Sequence, residues 1–269
     1  MRLFRFFVFV LMGLAGPAMA SECPRIVSQS PYLTIALAWL DRAECIVGVS
    51  RDDRFKPALP RTGGVLGPDA AAIAALKPDV VVTSDGVAAD ALVAAVPAGA
   101  RGVRLGGFGS MAETEAMLED LALLSRAPDG GKVTSYRRGW FILAKNAGAR
   151  GERVLLLSGC GGTPSSYGRR HVLGDLFASA GFDVVERDVR VRTIKPGEPV
   201  ADLAALVALH RPEIVFTFDR PSDGSCRLAL DDARQRIIPL DGDQFLNPGP
   251  RLLDGLKALA AAMRNQARP

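Results

Sequence analysis

A chain of 269 residues, 48% hydrophobic and 23% charged, is long enough for two lobes that each bury a core. A formal net charge of only +4, with no basic stripe interleaved with aromatics, gives no case for nucleic acid as a partner. Two histidines are too few for a zinc or manganese carrier, and neither G-x-S-x-G, nor Walker A, nor a glycine loop of dinucleotide-binding length occurs.

Residues 1–20, MRLFRFFVFVLMGLAGPAMA, carry Arg2 and Arg5, then an apolar run, then Ala18-Met19-Ala20. That order predicts a secretory signal peptide cleaved before Ser21, and the run is short for a membrane span. The expected mature chain is soluble and periplasmic. Four cysteines in an exported chain favour disulfides, with three connectivities open. Cys23 and Cys45 each precede a predicted strand, and Cys160 and Cys226 each follow one. Pairing as Cys23–Cys45 and Cys160–Cys226 is the economical solution.

From there, strand-like and helix-like runs alternate. The first half reads as strand 25–30, helix from Ser30-Pro31, strand 46–50 and a charged loop RDDRFKPALPRTGG. A short helix in PDAAAIAAL, strand VVVTS, helix 88–95, strand 102–105 and amphipathic helix 111–124 follow. In DGGKVTSYRRGWFILAKNAG, residues 129–148, Val133, Tyr136, Trp140, Phe141 and Ala144 recur at helical steps. This segment is expected to be one helix bridging an N-terminal lobe, 21–128, and a C-terminal lobe, 149–269. Gly139 in its interior costs about 1 kcal/mol of helix stability against alanine.

The second half repeats the pattern: strand 153–158, a Gly/Ser loop, helix 170–180, strand 183–186 and a basic loop RDVRVRTIKPGEP. Helix 201–210, strand 213–218, strand RIIPL and closing helix 252–263 complete it. AALKPDVVV in one half and ALHRPEIVF in the other resemble one repeated helix–Pro–strand unit. The fold class is therefore α/β: two lobes, each a parallel sheet flanked by helices, bridged by one long helix. In such sheets ligands lie beyond the carboxyl ends of the strands.

RIVSQSPYLTIALAWLDRAECIVGVS, LPRTGGVLGPDAAAIAALKPDVVVTSDG and the ending IIPLDGDQFLNPGPRLLDGLKALAAAM resemble the periplasmic solute-binding proteins of ABC importers for vitamin B12, ferric siderophores and heme. The resemblance covers nearly the whole mature chain. It implies two α/β lobes bridged by one helix, a cleft that closes only modestly, no enzymatic activity and no cofactor. It also implies a monomer whose partners are an ABC importer permease and a small-molecule ligand, an iron chelate or a corrinoid. The family places one glutamate per lobe for docking on permease arginines, and the matching positions here are Ala71 and Ala205. Asp69 and Asp202 stand just upstream, either as helix caps or as replacements in docking.

The strand-end loops supply the candidate ligand residues. Ser30 and Tyr32 open the first helix, where amides and hydroxyls suit an anionic oxygen. Arg51, Arg54, Arg190, Arg192 and Arg220 leave strand ends in both halves and would grip an anion if they converge. Phe108, Phe245 and the loop residues Ser165, Ser166 and Tyr167 offer stacking and polar contacts, and Asp85 and Asp241 add charge. Two other readings remain. Cys160 would serve a cysteine-dependent enzyme if its thiol were free, and Asp52, Asp85, Asp219 and Asp241 would serve a free hard metal ion if they met.

Overall fold

A computed structural model describes residues 23–128, 131–221, 224–228, 230 and 236–266. The expected signal peptide and the first two residues of the expected bridge lie outside the described residues. Among those described, no helix is long and apolar enough to cross a membrane.

The N-terminal lobe opens with β1 (Ile26–Ser28), α1 (Pro31–Trp39), β2 (Ile46–Val49) and α2 (Ala70–Ala75). It continues with β3 (Val80–Ser84), α3 (Ala89–Ala95), β4 (Arg101–Leu105) and α4 (Met111–Leu124). The four strands pair in the order β2-β1-β3-β4, all parallel. Every residue of β3 is buried, as expected of a central parallel strand covered on both faces. Cys23 is bonded to Cys45, tying the entry of β1 to the entry of β2.

The bridge is α5 (Lys132–Lys145), 14 residues or about 21 Å, shorter at both ends than the sequence pattern implied. Gly131, at φ 62, precedes it, and Asn146 caps its end. Tyr136 and Ala144 are buried, and Tyr136 donates to the Gly249 carbonyl at 3.1 Å. Phe141 is 52% exposed, because it falls off the stripe that Val133, Tyr136 and Trp140 define. On the N-terminal side, Glu115 of α4 accepts from Arg137 and, at 2.6 Å, from the Trp140 indole.

The C-terminal lobe contains β5 (Arg153–Ser158), β6 (Ser165–Tyr167), α6 (Val172–Ser179), β7 (Asp183–Val184) and β8 (Val191–Thr193). Then come α7 (Leu203–His210), β9 (Ile214–Asp219), β10 (Arg236–Asp241), α8 (Gly242–Phe245) and α9 (Leu252–Gln266). β10, β9, β5 and β7 run parallel, as expected. The sheet then departs from expectation, because β6 and β8 add antiparallel to its edge. Both lie in segments that read as loops. They are three residues long and mostly polar, and what secures them is Glu186, which accepts from Ser166 of β6 and Arg192 of β8.

The helix–Pro–strand repeat extends to its hydrogen bonds. Lys77 (φ 46) and Arg211 (φ 45) both take the left-handed conformation after their helix and before their proline. The amides of Arg25 and Arg153 donate to Asp79 and Glu213, the acidic residues after each proline. Their guanidinium groups both reach back to carbonyls ending the preceding helix, Leu76 and Lys77 in one lobe and His210 in the other. One apolar cluster runs from Leu33 and Leu118 in the first lobe, through Tyr136 and Ala147, to Phe177 and Leu256 in the second.

Candidate functional site

The carboxyl ends of the strands face a cleft of about 630 Å³, within the range of small-molecule sites. The N-terminal lobe supplies one wall. Ser30, Pro31, Tyr32 and Ile35 come from the turn into α1, Asp52, Arg54 and Phe55 from the loop after β2, and Phe108 from the loop after β4. The opposite wall is Arg220, after β9, with Asp243, Asn247, Pro248, Pro250 and Arg251, after β10.

The N-terminal wall is fixed from within. The Ser30 hydroxyl accepts from the Ser84 amide at 3.2 Å, locking the start of α1 to the end of β3. Tyr32 donates to the Leu105 carbonyl at 3.0 Å and sets its ring edge-on to Phe108 at 5.3 Å. Burial, and after it the charge of Asp85, push its phenol well above the ordinary value, so it stays protonated. Asp52 accepts from the Val65 amide at 3.2 Å, and the Phe55 ring is 44% exposed. From Phe108 a seam joins the lobes: the Val172 amide donates to the Phe108 carbonyl at 2.7 Å, and the Met111 amide to Asp175 at 2.8 Å.

Of the residues chosen from sequence, Ser30, Tyr32, Arg54, Phe108 and Arg220 line this cleft. The others stand elsewhere. Arg51 and Asp85 are exposed beside the cleft loops, and Arg190 is exposed on the C-terminal lobe. Arg192 is held by Glu186 at 2.6 and 3.0 Å, so its guanidinium serves the sheet edge. Ser166 is buried against the same carboxylate, with Ser165 beside it on β6. Tyr167 bonds Ser158 at 2.8 Å and sets its ring at a tilt against His171, 4.8 Å between centroids. Its phenol is raised by burial, against the opposing pull of Ser158 and Arg220. Asp241 caps α8 through the Asp243 amide at 2.9 Å. Phe245 has no exposed surface; it packs with Phe177 and Phe218 in the core, because the short helix α8 turns it inward.

Asp69 caps α2 through the amides of Ala71 and Ala72, and Asp202 caps α7 through the amide of Ala205. Both remain exposed at the starts of equivalent helices. The second expected disulfide is present, Cys160 with Cys226, so all four cysteines are paired and no thiol is free for the enzymatic reading. Asp52, Asp85, Asp219 and Asp241 do not converge. Among the described residues, the one group of potential metal-binding atoms is Glu44 beside the Cys23–Cys45 bond.

Sequence reasoning missed Asn247, Pro248, Pro250 and Arg251. Their signal was NPGPR, a turn between the last strand and the last helix, and therefore at the same edge as the other strand ends.

No family model matches the sequence, and no curated protein does. Solved structures do match. The periplasmic heme-binding protein RhuT from Roseiflexus sp. RS-1 superposes with a TM-score of 0.72 at 21% identity, covering 91% of this chain and 99% of that one. The vitamin B12-binding protein BtuF of Vibrio cholerae gives 0.70 at 18% identity, over 91% and 99%. A periplasmic heme-binding protein from Pseudomonas aeruginosa gives 0.66 at 25% identity, over 92% and 95%. The chain has the two-lobed fold of these transport proteins.

Proposed function

We propose, from the fold shared with periplasmic substrate-binding proteins of ABC importers, that this chain captures an anionic metal chelate in its cleft and delivers it to a membrane permease. The expected secretory signal supports a periplasmic location. The observation that carries the ligand class is the pairing of arginines across the cleft, Arg54 from one lobe against Arg220 and Arg251 from the other. Tyr32, Phe55 and Phe108 add apolar and stacking surface between them.

A cavity of about 630 Å³ is far too large for a bare ion, and the cleft's acidic side chains are not gathered for one. A ligand that brings its own metal donors and carries outward carboxylates or phosphates matches the lining. Heme has that form through its propionates, corrinoids through their nucleotide phosphate and carboxylate-bearing ferric siderophores through their carboxylates, and heme and vitamin B12 are what the similar structures are named for. Asp69 and Asp202, exposed at equivalent helix starts, are the proposed permease contacts.

The test is a fluorescence titration with hemin, cyanocobalamin, a ferric trihydroxamate and free ferrous ion, using Trp39 and Trp140 as reporters. At least one chelate is expected to bind. A charge-assisted hydrogen bond contributes about 1.5–3 kcal/mol, so Arg54→Ala and Arg220→Ala should each weaken it about tenfold or more. Unchanged affinity in both variants, or binding of the free ion alone, would refute the assignment.

A further inference from the structure

Arg220 enters the cleft from a backbone bridge just past the end of β9. Among the described residues its buried Nε has no hydrogen-bond partner, and it forms a long ion pair with Asp243 of the same wall at 4.0 Å. The Arg220 amide donates to the Ser225 carbonyl at 2.9 Å, and the two residues form an isolated antiparallel bridge. The next residue is Cys226, bonded to Cys160 just past the end of β5. The Gly159 amide donates to the Cys226 carbonyl at 3.0 Å. A Cβ on Gly159 would stand 2.4 Å from the Arg227 carbonyl oxygen, so the two backbones are in close contact. Cys226 also takes φ 63, a region that residues other than glycine avoid and that persists where the surroundings impose it.

We infer that the Cys160–Cys226 disulfide is a positioning element of the ligand site, clamping the Arg220–Ser225 bridge to the end of β5 so that Arg220 faces the cleft. The inference rests on the cleft reading above. The fold does not need this bond to keep its strands in place, because β5 and β9 pair through their own ladder from Val154 to Leu157. Its loss is therefore felt at Arg220, and through Arg220 by an anionic ligand.

The experiment is a mutant cycle read by hemin affinity. Cys160→Ser with Cys226→Ser is expected to weaken binding about tenfold, while Cys23→Ser with Cys45→Ser, a distant disulfide, changes it less than about twofold. In an Arg220→Ala background, removing Cys160–Cys226 is expected to cost nothing further, an outcome a merely structural role would not produce. Additive losses, or equal losses from both disulfides, overturn the proposal. Amide exchange supplies a readout without ligand: Arg220 and Gly159 should exchange faster in the Cys160→Ser/Cys226→Ser variant while Phe216 of β9 does not. Unchanged protection at Arg220 also overturns it. Failure of the parent to bind hemin or any other chelate would count against the cleft reading instead, and the exchange comparison would still decide this one.

Discussion

His171 caps α6 through its Nδ1, 3.1 Å from the Leu173 amide, while its ring lies between Tyr167 and Phe108 at the seam. Burial, reinforced by the charge of Arg190, brings its pKa down to about 4. An unfolded histidine titrates near 6.5, so between the two values the unfolded chain binds the extra proton. Stability is thus full above about pH 6.5 and falls by up to about 1.4 kcal/mol per unit down to about pH 4. Urea midpoints at about pH 7 and about pH 5 should show this loss, and His171→Asn, which can still cap the helix, should remove much of it. Glu186 also shifts downward. Burial raises its carboxyl, but Arg192, helped by His210 and Ser166, brings it below the ordinary value, so its contribution is present at neutral pH and is lost as pH falls below the ordinary carboxylate range. Removing Arg192 takes away the principal partner of that buried charge and leaves it the Ser166 hydroxyl and His210. Arg192→Met should cost about 1–3 kcal/mol of stability, measured by denaturant unfolding, with little effect on ligand affinity. Sequence alone placed Arg54 and Arg192 in the same class, both basic and both on loops. Arg192 is held by the buried Glu186 carboxylate whereas Arg54 lines the cleft, and no local pattern records that difference.

At the scale of elements, the parallel core was legible because its strands are continuous apolar runs and its helices begin at recognisable caps. The run from Met111 to Leu124 is bounded as its periodicity indicates. β6 and β8 were not legible, since three mostly polar residues are too short to show alternation and their pairing is secured by a side chain, Glu186, that belongs to neither strand. The Pro78 and Pro212 units illustrate the opposite case, in which a short motif specifies turn, capping and register together. That equivalence also yields a test for Asp69 and Asp202. Asparagine caps a helix about as well as aspartate, so Asp69→Asn and Asp202→Asn should leave thermal stability within about 0.5 kcal/mol. If these residues dock the permease, the same variants should fail to stimulate its ATPase in proteoliposomes. Within α5, a Cβ on Gly139 would meet only Leu253, at an ordinary 3.7 Å. Gly139→Ala should therefore stabilise the protein by about 0.5–1 kcal/mol, seen as a higher melting temperature.

At the scale of the molecule, the two sheets share one apolar cluster through α5, so the lobes do not meet as independent domains. The seam at Phe108–Val172 and Met111–Asp175 adds polar bonds between the lobes. A large hinge closure would break both. Solution scattering with and without bound hemin should give radii of gyration that differ by less than about 1 Å. The shared core has a thermal counterpart. Two-lobed proteins often melt in steps, whereas here neither lobe can expose its apolar face at Tyr136 and Ala147 without stripping the other. Scanning calorimetry should record a single heat-capacity peak whose calorimetric and van't Hoff enthalpies agree. A ligand held by both walls would then raise the melting point of the whole chain, by about 2.7 kcal/mol of added stability at a hundred times its dissociation constant.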